Sequence, residues 1–263
     1  MGATSAALRL PGNLRRAAAG AWHVPGGFLF LVRKPRLLPL AAVPALLAVF
    51  CLAGGLAAGL YAGPTVEAAL TPAPGRASSV VVALLAASAW LATLTAALAL
   101  GLASALLLAA PVLDQLSKET ERVATGASSD AGRGLSWEVR ESLRSALYFL
   151  AAAPLVLVVG MVPIVGPPLG ALWAARALSF QLTEPSLARR GLGFGERRAW
   201  HRAWRPESVG FGLLALAVLI VPCANFALVP ALIVGATRLV VELTGGPAAA
   251  GPQAQPAAGP RSP

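Results

Sequence analysis

Charged side chains are scarce in this sequence. Asp, Glu, Lys and Arg make up 12% of its 263 residues, whereas hydrophobic residues make up 57%. A water-soluble globule of this size needs more polar side chains to cover its surface. The composition therefore argues against an ordinary soluble domain and predicts an all-α, polytopic helical membrane protein whose solvent is lipid.

The chain also has few of the residues from which active sites and metal sites are built. It has two histidines, His23 and His201, and two cysteines, Cys51 and Cys223, without CxxC or Cys/His spacing. Its four long apolar regions contain no Asp, Glu, His or Lys. We therefore expect no catalytic residues, no metal site, no cofactor and no enzymatic activity. The same lack disfavours a proton-coupled transporter, which needs acidic or histidine relays.

Positive charge exceeds negative charge, with 21 Lys and Arg against 11 Asp and Glu. No polar basic domain carries this excess, so nucleic-acid binding is not expected. In a membrane protein the excess indicates topology and attraction to anionic lipid headgroups at the basic loops. Basic residues concentrate in segments 1–36, 111–146 and 176–205, whereas segment 62–79 holds one. The positive-inside rule then places both termini in the cytoplasm.

Two apolar runs are long enough to cross a bilayer. Residues 37–61 would form a helix of about 37 Å, and residues 80–110 one of about 46 Å, against a hydrocarbon thickness of about 30 Å. They predict two long transmembrane helices joined by a non-cytoplasmic loop, residues 62–79. Residues 1–36 predict a basic, amphipathic cytoplasmic segment.

Two further apolar regions, residues 147–180 and 209–241, are broken near their middle. The first turns at Pro163-Ile-Val-Gly and the second at Pro222-Cys-Ala-Asn. Arms of about 20 Å fall short of a bilayer of about 30 Å, which predicts hemi-penetrating helical hairpins. Short hairpins that cross fully are the alternative. Paired, Gly/Pro-interrupted segments of this kind are typical of transport sites.

The remaining segments connect these elements within a membrane domain of residues 37–245. Residues 111–146 predict an amphipathic cytoplasmic continuation of the second span. Residues 181–208 predict a basic interfacial loop. Residues 246–263 are Gly, Pro, Ala and Gln with few other residues, which predicts a disordered tail.

Single residues in these polar segments have their own predictions. Asp114 precedes Lys118 by four residues, a spacing that favours an ion pair on one helix face. Trp200 and Trp204 lie one turn apart among arginines, which predicts that they and His201 occupy the lipid headgroup layer.

The returning arms of the hairpins offer candidate anion-binding groups. A helix that begins inside the membrane presents unpaired N–H groups and the positive end of its dipole. Gly166 opens the first returning arm, and Asn225 suits the cap of the second. Arg176 and Arg238, one on each arm, either draw anions toward these helix starts or extend to the cytoplasmic interface. Neighbouring helices that satisfy the N–H groups are the structural alternative.

Four sequence blocks resemble the CysZ sulfate permease and etoposide-induced protein 2.4 family: Lys34-Pro-Arg-Leu-Leu-Pro, Pro111-Val-Leu-Asp-Gln-Leu-Ser, Pro163-Ile-Val-Gly and Val229-Pro-Ala-Leu-Ile-Val-Gly-Ala-Thr-Arg-Leu. The likeness covers about residues 20–243, and the last block is its most specific part. The resemblance implies a bacterial inner-membrane protein with two long helices and two hemi-penetrating hairpins. It also implies a homo-oligomer and, as in CysZ, passive and proton-independent entry of sulfate.

The sequence departs from the sulfate permeases at the entrance to the first long helix. Their Gly-Leu-Arg-Arg character there supplies anion contacts, whereas this chain reads Arg36-Leu-Leu-Pro. Arg33, Lys34 and Arg36 keep positive charge nearby and are candidate anion-binding residues. The leading hypothesis is permeation of sulfate or another small anion. The alternative is a non-transporting membrane scaffold or partner-binding protein of the same fold.

Overall fold

The computed structural model describes residues 12–71, 78–131, 134–220 and 225–245. The predicted tail and most of the second hairpin turn, residues 221–224, lie outside these ranges. Within them the chain is helical and contains no β-strand. The helices are α1 (Gly12–Arg33), a 3₁₀ turn (Pro35–Leu37), α2 (Leu38–Leu70), α3 (Ser79–Thr125), α4 (Leu135–Gly160), α5 (Gly166–Arg189), α6 (Phe194–Ala203), α7 (Arg205–Leu219) and α8 (Asn225–Thr244).

Three helical segments are long and apolar enough to cross a membrane: Pro35–Leu70, Ser79–Thr125 and Val139–Gly160. Their most apolar windows have mean hydropathies of 2.3, 2.3 and 1.8. Large apolar side chains such as Phe50 and Leu107 are exposed on them, which suits lipid rather than water. The prediction of an all-α, multi-pass membrane protein is confirmed.

The chain divides into two compact units. One unit, Pro39–Leu113, contains almost all of α2 and the apolar part of α3. The other combines the chain up to Leu38 with the chain from Asp114 onward. It therefore contains α1, the polar end of α3 and helices α4 to α8.

Glycine lets α2 and α3 approach each other at the level of the backbone. A Cβ atom at Gly55 would lie 2.6 Å from the carbonyl oxygen of Ala97, and one at Gly101 would lie 2.6 Å from that of Cys51. Cβ atoms do not come so close to backbone, so only glycine fits at these two positions. Gly59, four residues after Gly55, continues the contact. The GxxxG spacing thus joins two helices of one chain.

Helix α2 is longer than the predicted span of residues 37–61, because it continues to Leu70. Glu67 accepts a hydrogen bond of 2.8 Å from the indole nitrogen of Trp90 on α3. The ring of the same tryptophan covers Gly63. These contacts hold the first part of the expected loop, residues 62–70, in the helix.

Helix α1 packs across α7 and α8 in the second unit. A Cβ at Gly20 would overlap the backbone of Glu207 on α7, and one at Gly27 would overlap that of Gly235 on α8. Arg16 adds an ion pair to the carboxylate of Glu207 at 2.5 Å. The buried face has the three- and four-residue spacing of one helix side: Gly20, Val24, Gly27 and Leu31.

The first hairpin is formed by α4 and α5, and both helices are longer than the predicted arms. Helix α4 starts at Leu135 because the polar stretch before residue 147 continues the same helix, and α5 extends to Arg189. Shortness of its arms therefore no longer argues for half-crossing of the first hairpin. The depth of both hairpins stays a prediction.

Two polar segments differ in detail from the sequence-based expectation. The predicted continuation over residues 111–146 is interrupted, since α3 ends at Thr125 and α4 begins at Leu135. The predicted loop over residues 181–208 contains the end of α5, the helix α6 and the start of α7. The bounds of α7 and α8, which form the second hairpin, are close to those of its predicted arms. Gly212 on α7 touches the backbone of Ala175 on α5.

The α2–α3 contact can be tested with two neighbouring glycines. Gly55→Ala should lower the free energy of unfolding by about 1–3 kcal/mol, because the new methyl group forces the two backbones apart. Gly54→Ala is the matched control, since no atom of the described residues lies within 4 Å of a Cβ there. Unfolding in mixed micelles, followed by circular dichroism, measures the difference. Equal stability of the two variants would contradict the contact.

Candidate functional site

The end of α1 carries three exposed cationic side chains. Arg33 is the last residue of the helix, Lys34 follows it, and Arg36 lies in the short 3₁₀ turn. None of the three forms a hydrogen bond or ion pair with the described residues. Leu37, at 2% exposure, anchors the end of this segment. The predicted basic cluster is therefore an un-neutralised patch of positive charge.

Arg238 on α8 is held against the same part of α1. Its Nη1 donates a 3.0 Å hydrogen bond to the carbonyl oxygen of Gly26, and its guanidinium lies 5.0 Å from the ring centre of Phe30. Phe30 is three residues from Arg33, so Arg238 lies within about one turn of the basic cluster. A cation near a helix C-terminus also interacts favourably with its dipole. The structure thus brings Arg238 together with the predicted cluster.

Gly166 has a structural explanation in the first hairpin. A Cβ there would lie 2.6 Å from the carbonyl oxygen of Val159. The N–H of Gly166 donates to Val162, and that of Leu169 donates to Val165. The two residues after Gly166 are prolines without an N–H group. The first turn of α5 therefore offers no free N–H group to an anion.

The remaining predicted residues lie elsewhere. Asn225 is the first residue of α8, thirteen residues or about 20 Å before Arg238. Arg176 is exposed on α5, about 15 Å along the helix from Gly166. The structure therefore does not gather the seven predicted residues into one site. It gathers the end of α1 and Arg238.

A second cluster was not predicted from the sequence, and it is buried. Arg189, at the end of α5, forms an ion pair with Asp114 on α3 and donates a 2.6 Å hydrogen bond to the hydroxyl of Ser117. The hydroxyl of Ser117 lies 2.7 Å from that of Thr237, which is fully buried on α8. Arg189 therefore links three helices.

Arg190 continues this cluster. Its Nη2 donates a 2.5 Å hydrogen bond to Oε1 of Glu121, and its Nη1 donates to the hydroxyl of Ser186 at 2.6 Å. Ser129 donates to the same oxygen of Glu121 at 2.9 Å. The side chain of Glu121 is fully buried and that of Arg190 is 4% exposed. This is a desolvated ion pair held by hydroxyl groups.

Three polar atoms of this cluster have no hydrogen-bond partner among the described residues: Oε2 of Glu121, Nε of Arg189 and Nε of Arg190. Glu121 Oε2 lies 3.7 Å from Nη2 of Arg189, beyond hydrogen-bond distance. Buried polar atoms are normally satisfied, so this cluster retains unused binding capacity.

The sequence contains a weak signal for this cluster. Asp114, Ser117 and Glu121 are spaced by three and four residues, which places them on one face of α3. The predicted partner of Asp114, Lys118, pairs instead with Asp130 at 3.2 Å. That prediction was wrong because Arg189, distant in sequence, approaches the same face.

Comparison with known proteins supports a family assignment. The family model described as Sulfate transporter CysZ/Etoposide-induced protein 2.4 matches residues 24–230. The chain belongs to this family. The match includes the basic end of α1 and both buried arginines of the second cluster. It ends before Arg238, so most of the block that was expected to be the most specific lies beyond it.

Named relatives point the same way. The chain is 30% identical to the sulfate transporter CysZ of Pseudomonas fluorescens (strain SBW25) over 156 residues, 55% of this chain and 60% of that protein. It is 32% identical to the sulfate transporter CysZ of Pseudomonas paraeruginosa (strain DSM 24068 / PA7) over 106 residues, 39% of this chain and 43% of that protein. The chain thus spans about half the length of these curated relatives.

His201 of this CysZ-family chain is a core residue rather than a headgroup-layer residue. It is 4% exposed and stacks on Phe180, with the ring centres 5.0 Å apart. Its Nε2 lies 3.0 Å from the hydroxyl oxygen of Thr183. Burial, with a smaller effect from Arg176, lowers the pKa of His201 to about 3. The prediction of an interfacial His201 was wrong, because α6 folds back onto α5. In the described chain no group of three His, Cys, Asp or Glu residues could hold a metal.

The buried histidine predicts a pH dependence of stability. The fold favours neutral His201, whereas the unfolded chain binds a proton near the ordinary pKa of about 6.5. Stability is therefore lost as pH falls from about 6.5 toward 3. Between pH 7 and pH 5 the free energy of unfolding of the wild type should fall by about 2 kcal/mol more than that of a His201→Gln variant. Unfolding in mixed micelles at both pH values measures this, and parallel profiles would contradict it.

Proposed function

We propose that this protein gives sulfate, or another small inorganic anion, passage across the bacterial cytoplasmic membrane. Membership of the CysZ family and the names of its relatives support this proposal. The structural observation that carries it is the un-neutralised basic patch formed by Arg33, Lys34, Arg36 and Arg238.

The patch differs from several other arginines in charge balance. Arg16, Arg189 and Arg190 each face a carboxylate, so their charge is largely cancelled. The three side chains at the end of α1 have no carboxylate partner among the described residues. Concentrated positive charge raises the local concentration of anions and speeds their capture, more strongly for a dianion and less strongly at high salt.

The absence of titratable relays supports a passive, proton-independent pathway. Between Leu37 and Ala110 the acidic residue is Glu67, and its carboxylate binds the indole of Trp90. A tryptophan of this kind suits the membrane–water interface, about 30 Å along α3 from Ala110. Glu67 then lies at the far rim of the membrane and not within a proton path.

The proposed placement has both termini and the basic segments on the cytoplasmic side, following the positive-inside rule. The turn of the first hairpin carries apolar side chains with high exposure, Met161 at 76% and Ile164 at 89%. Such a turn is favourable inside lipid and unfavourable in water. This supports a hairpin whose tip stays in the membrane.

Assembly as a homo-oligomer is part of the proposal. A groove of about 730 Å³ between α2 and α3 is lined mostly by small residues, including Gly54, Ala58, Ala62 and Ala96. Small residues allow a helix of another copy to pack closely within a membrane.

Sulfate flux tests the proposal directly. Purified protein in liposomes should admit labelled sulfate faster than empty vesicles do, in parallel with the sulfate transporter CysZ of Pseudomonas fluorescens as a positive control. A triple Arg33→Gln, Lys34→Gln, Arg36→Gln variant should be slower by about tenfold at low salt, because the basic patch no longer attracts the anion. The deficit should shrink at high salt.

A triple Arg15→Gln, Arg202→Gln, Arg205→Gln variant removes the same charge from exposed positions elsewhere and should keep most of the flux. An equal loss in both variants would contradict a specific role for the end of α1. No flux above empty vesicles, with an active positive control, would favour the non-transporting scaffold.

If sulfate transport does not depend on protons, its rate should not depend on a pH gradient. A Glu67→Gln variant should transport sulfate at the wild-type rate, and both proteins should show the same rate with and without an imposed pH gradient. Labelled-sulfate uptake into liposomes of defined internal pH measures both. A rate that follows the gradient and is lost in Glu67→Gln would overturn the passive pathway.

A further inference from the structure

The buried cluster of Arg189, Arg190 and Glu121 has more binding groups than its own side chains use. Both arginine Nε atoms are buried and have no hydrogen-bond partner in the described part of the chain, and the same holds for Oε2 of Glu121. The arginine side chains are 7% and 4% exposed, and the glutamate is fully buried. Unpaired guanidinium N–H groups in a desolvated place bind oxyanions well, because the planar fork matches oxygen pairs.

We propose that Arg189 and Arg190 form an internal binding site for a small oxyanion, and that Glu121 is a tethered carboxylate that occupies it when no anion is bound. The proposal deepens the proposed function by naming a second anion site and its competitor. Oε1 of Glu121 already takes the place of an anion oxygen, since it accepts hydrogen bonds from Arg190 and Ser129.

The other carboxylate oxygen shows that Glu121 fills the site incompletely. Its Oε2 lies 3.7 Å from Nη2 of Arg189, so Glu121 forms a hydrogen bond with Arg190 but not with Arg189. A tetrahedral oxyanion has more oxygens and can bond to both.

The proposal places the entrance to the site on the side of Asp114. The side chain of Asp114 is 49% exposed and pairs with Arg189, which is buried. Asp114 is therefore the member of the cluster that solvent reaches. An anion that enters here must displace Glu121, so Glu121 sets the affinity by competition.

Replacement of the competitor separates this site from a purely structural ion pair. Purified protein in detergent is titrated with sodium sulfate in an isothermal titration calorimeter. Glu121→Gln should bind sulfate at least tenfold more tightly than the wild type. A tenfold change in affinity requires about 1.4 kcal/mol, and close charge pairs of this kind couple by more than that. Unchanged or weaker binding in Glu121→Gln would overturn the proposal, and so would the absence of sulfate binding in both proteins.

Glu184→Gln is the matched control. It makes the same chemical change in another ion pair of this unit, Arg197 with Glu184 at 2.7 Å, and should leave sulfate affinity unchanged. An equal gain in Glu184→Gln would show a general effect of net charge and would also overturn the proposal.

Ser129→Ala covers the case in which Glu121→Gln does not fold. It removes a hydrogen bond that holds Glu121 and keeps every charge, and should tighten sulfate binding about threefold. Unchanged or weaker sulfate binding in Ser129→Ala would count against the proposal.

Sulfate flux in the wild type separates the proposed site from the proposed function. Flux without tighter binding in the variants leaves the proposed function standing and removes the site. Tighter binding in the variants without wild-type flux keeps the site and removes transport.

Discussion

Between the ends of α3 and α5, the carboxylate of Glu121 and the guanidinium of Arg190 are buried together at 2.5 Å. A buried charge without a partner costs several kcal/mol, so in an apolar chain each buried arginine requires a carboxylate close by. The same requirement pairs Arg197 with Glu184 between α6 and α5. The buried carboxylate of Glu207 on α7 likewise pairs with Arg16 on α1, whose side chain is exposed. Because charges are scarce, these few pairs largely decide which helix ends meet.

Glycine decides how closely the helices meet between those ends. Gly27 and Gly235 allow α1 to touch α8 along the backbone, and Gly212 allows α7 to touch α5. Between apolar helices in lipid, close packing replaces the hydrophobic effect as the main attraction. A methyl group at one of these positions would therefore remove much of the contact.

The proposed function depends on the difference between two kinds of cation. Arg189 and Arg190 are buried and neutralised, and in the proposal they bind only an anion that can replace a carboxylate. Arg33, Lys34 and Arg36 are exposed and not neutralised, so they attract anions without fixing them in one place. Thr237 and Arg238 are adjacent on α8 and contact the two regions, through Ser117 and Gly26 respectively. In the proposal, capture of the anion at the end of α1 and its specific binding at the arginine pair are complementary tasks.

Sequence alone determined that the chain is an all-helical membrane protein of this family, because scarcity of charge and long apolar runs leave few other solutions and the motifs match over most of the chain. It also located the basic end of α1. It did not reveal that residues 62–70 are helical, since the hydrogen bond from Trp90 to Glu67 joins two helices. Nor did it reveal the buried cluster, because Asp114 and Arg189 are distant in sequence. Only the tertiary structure decided which arginines pair with a carboxylate among the described residues, since this pairing depends on side chains that the folding of α5 and α3 brings together.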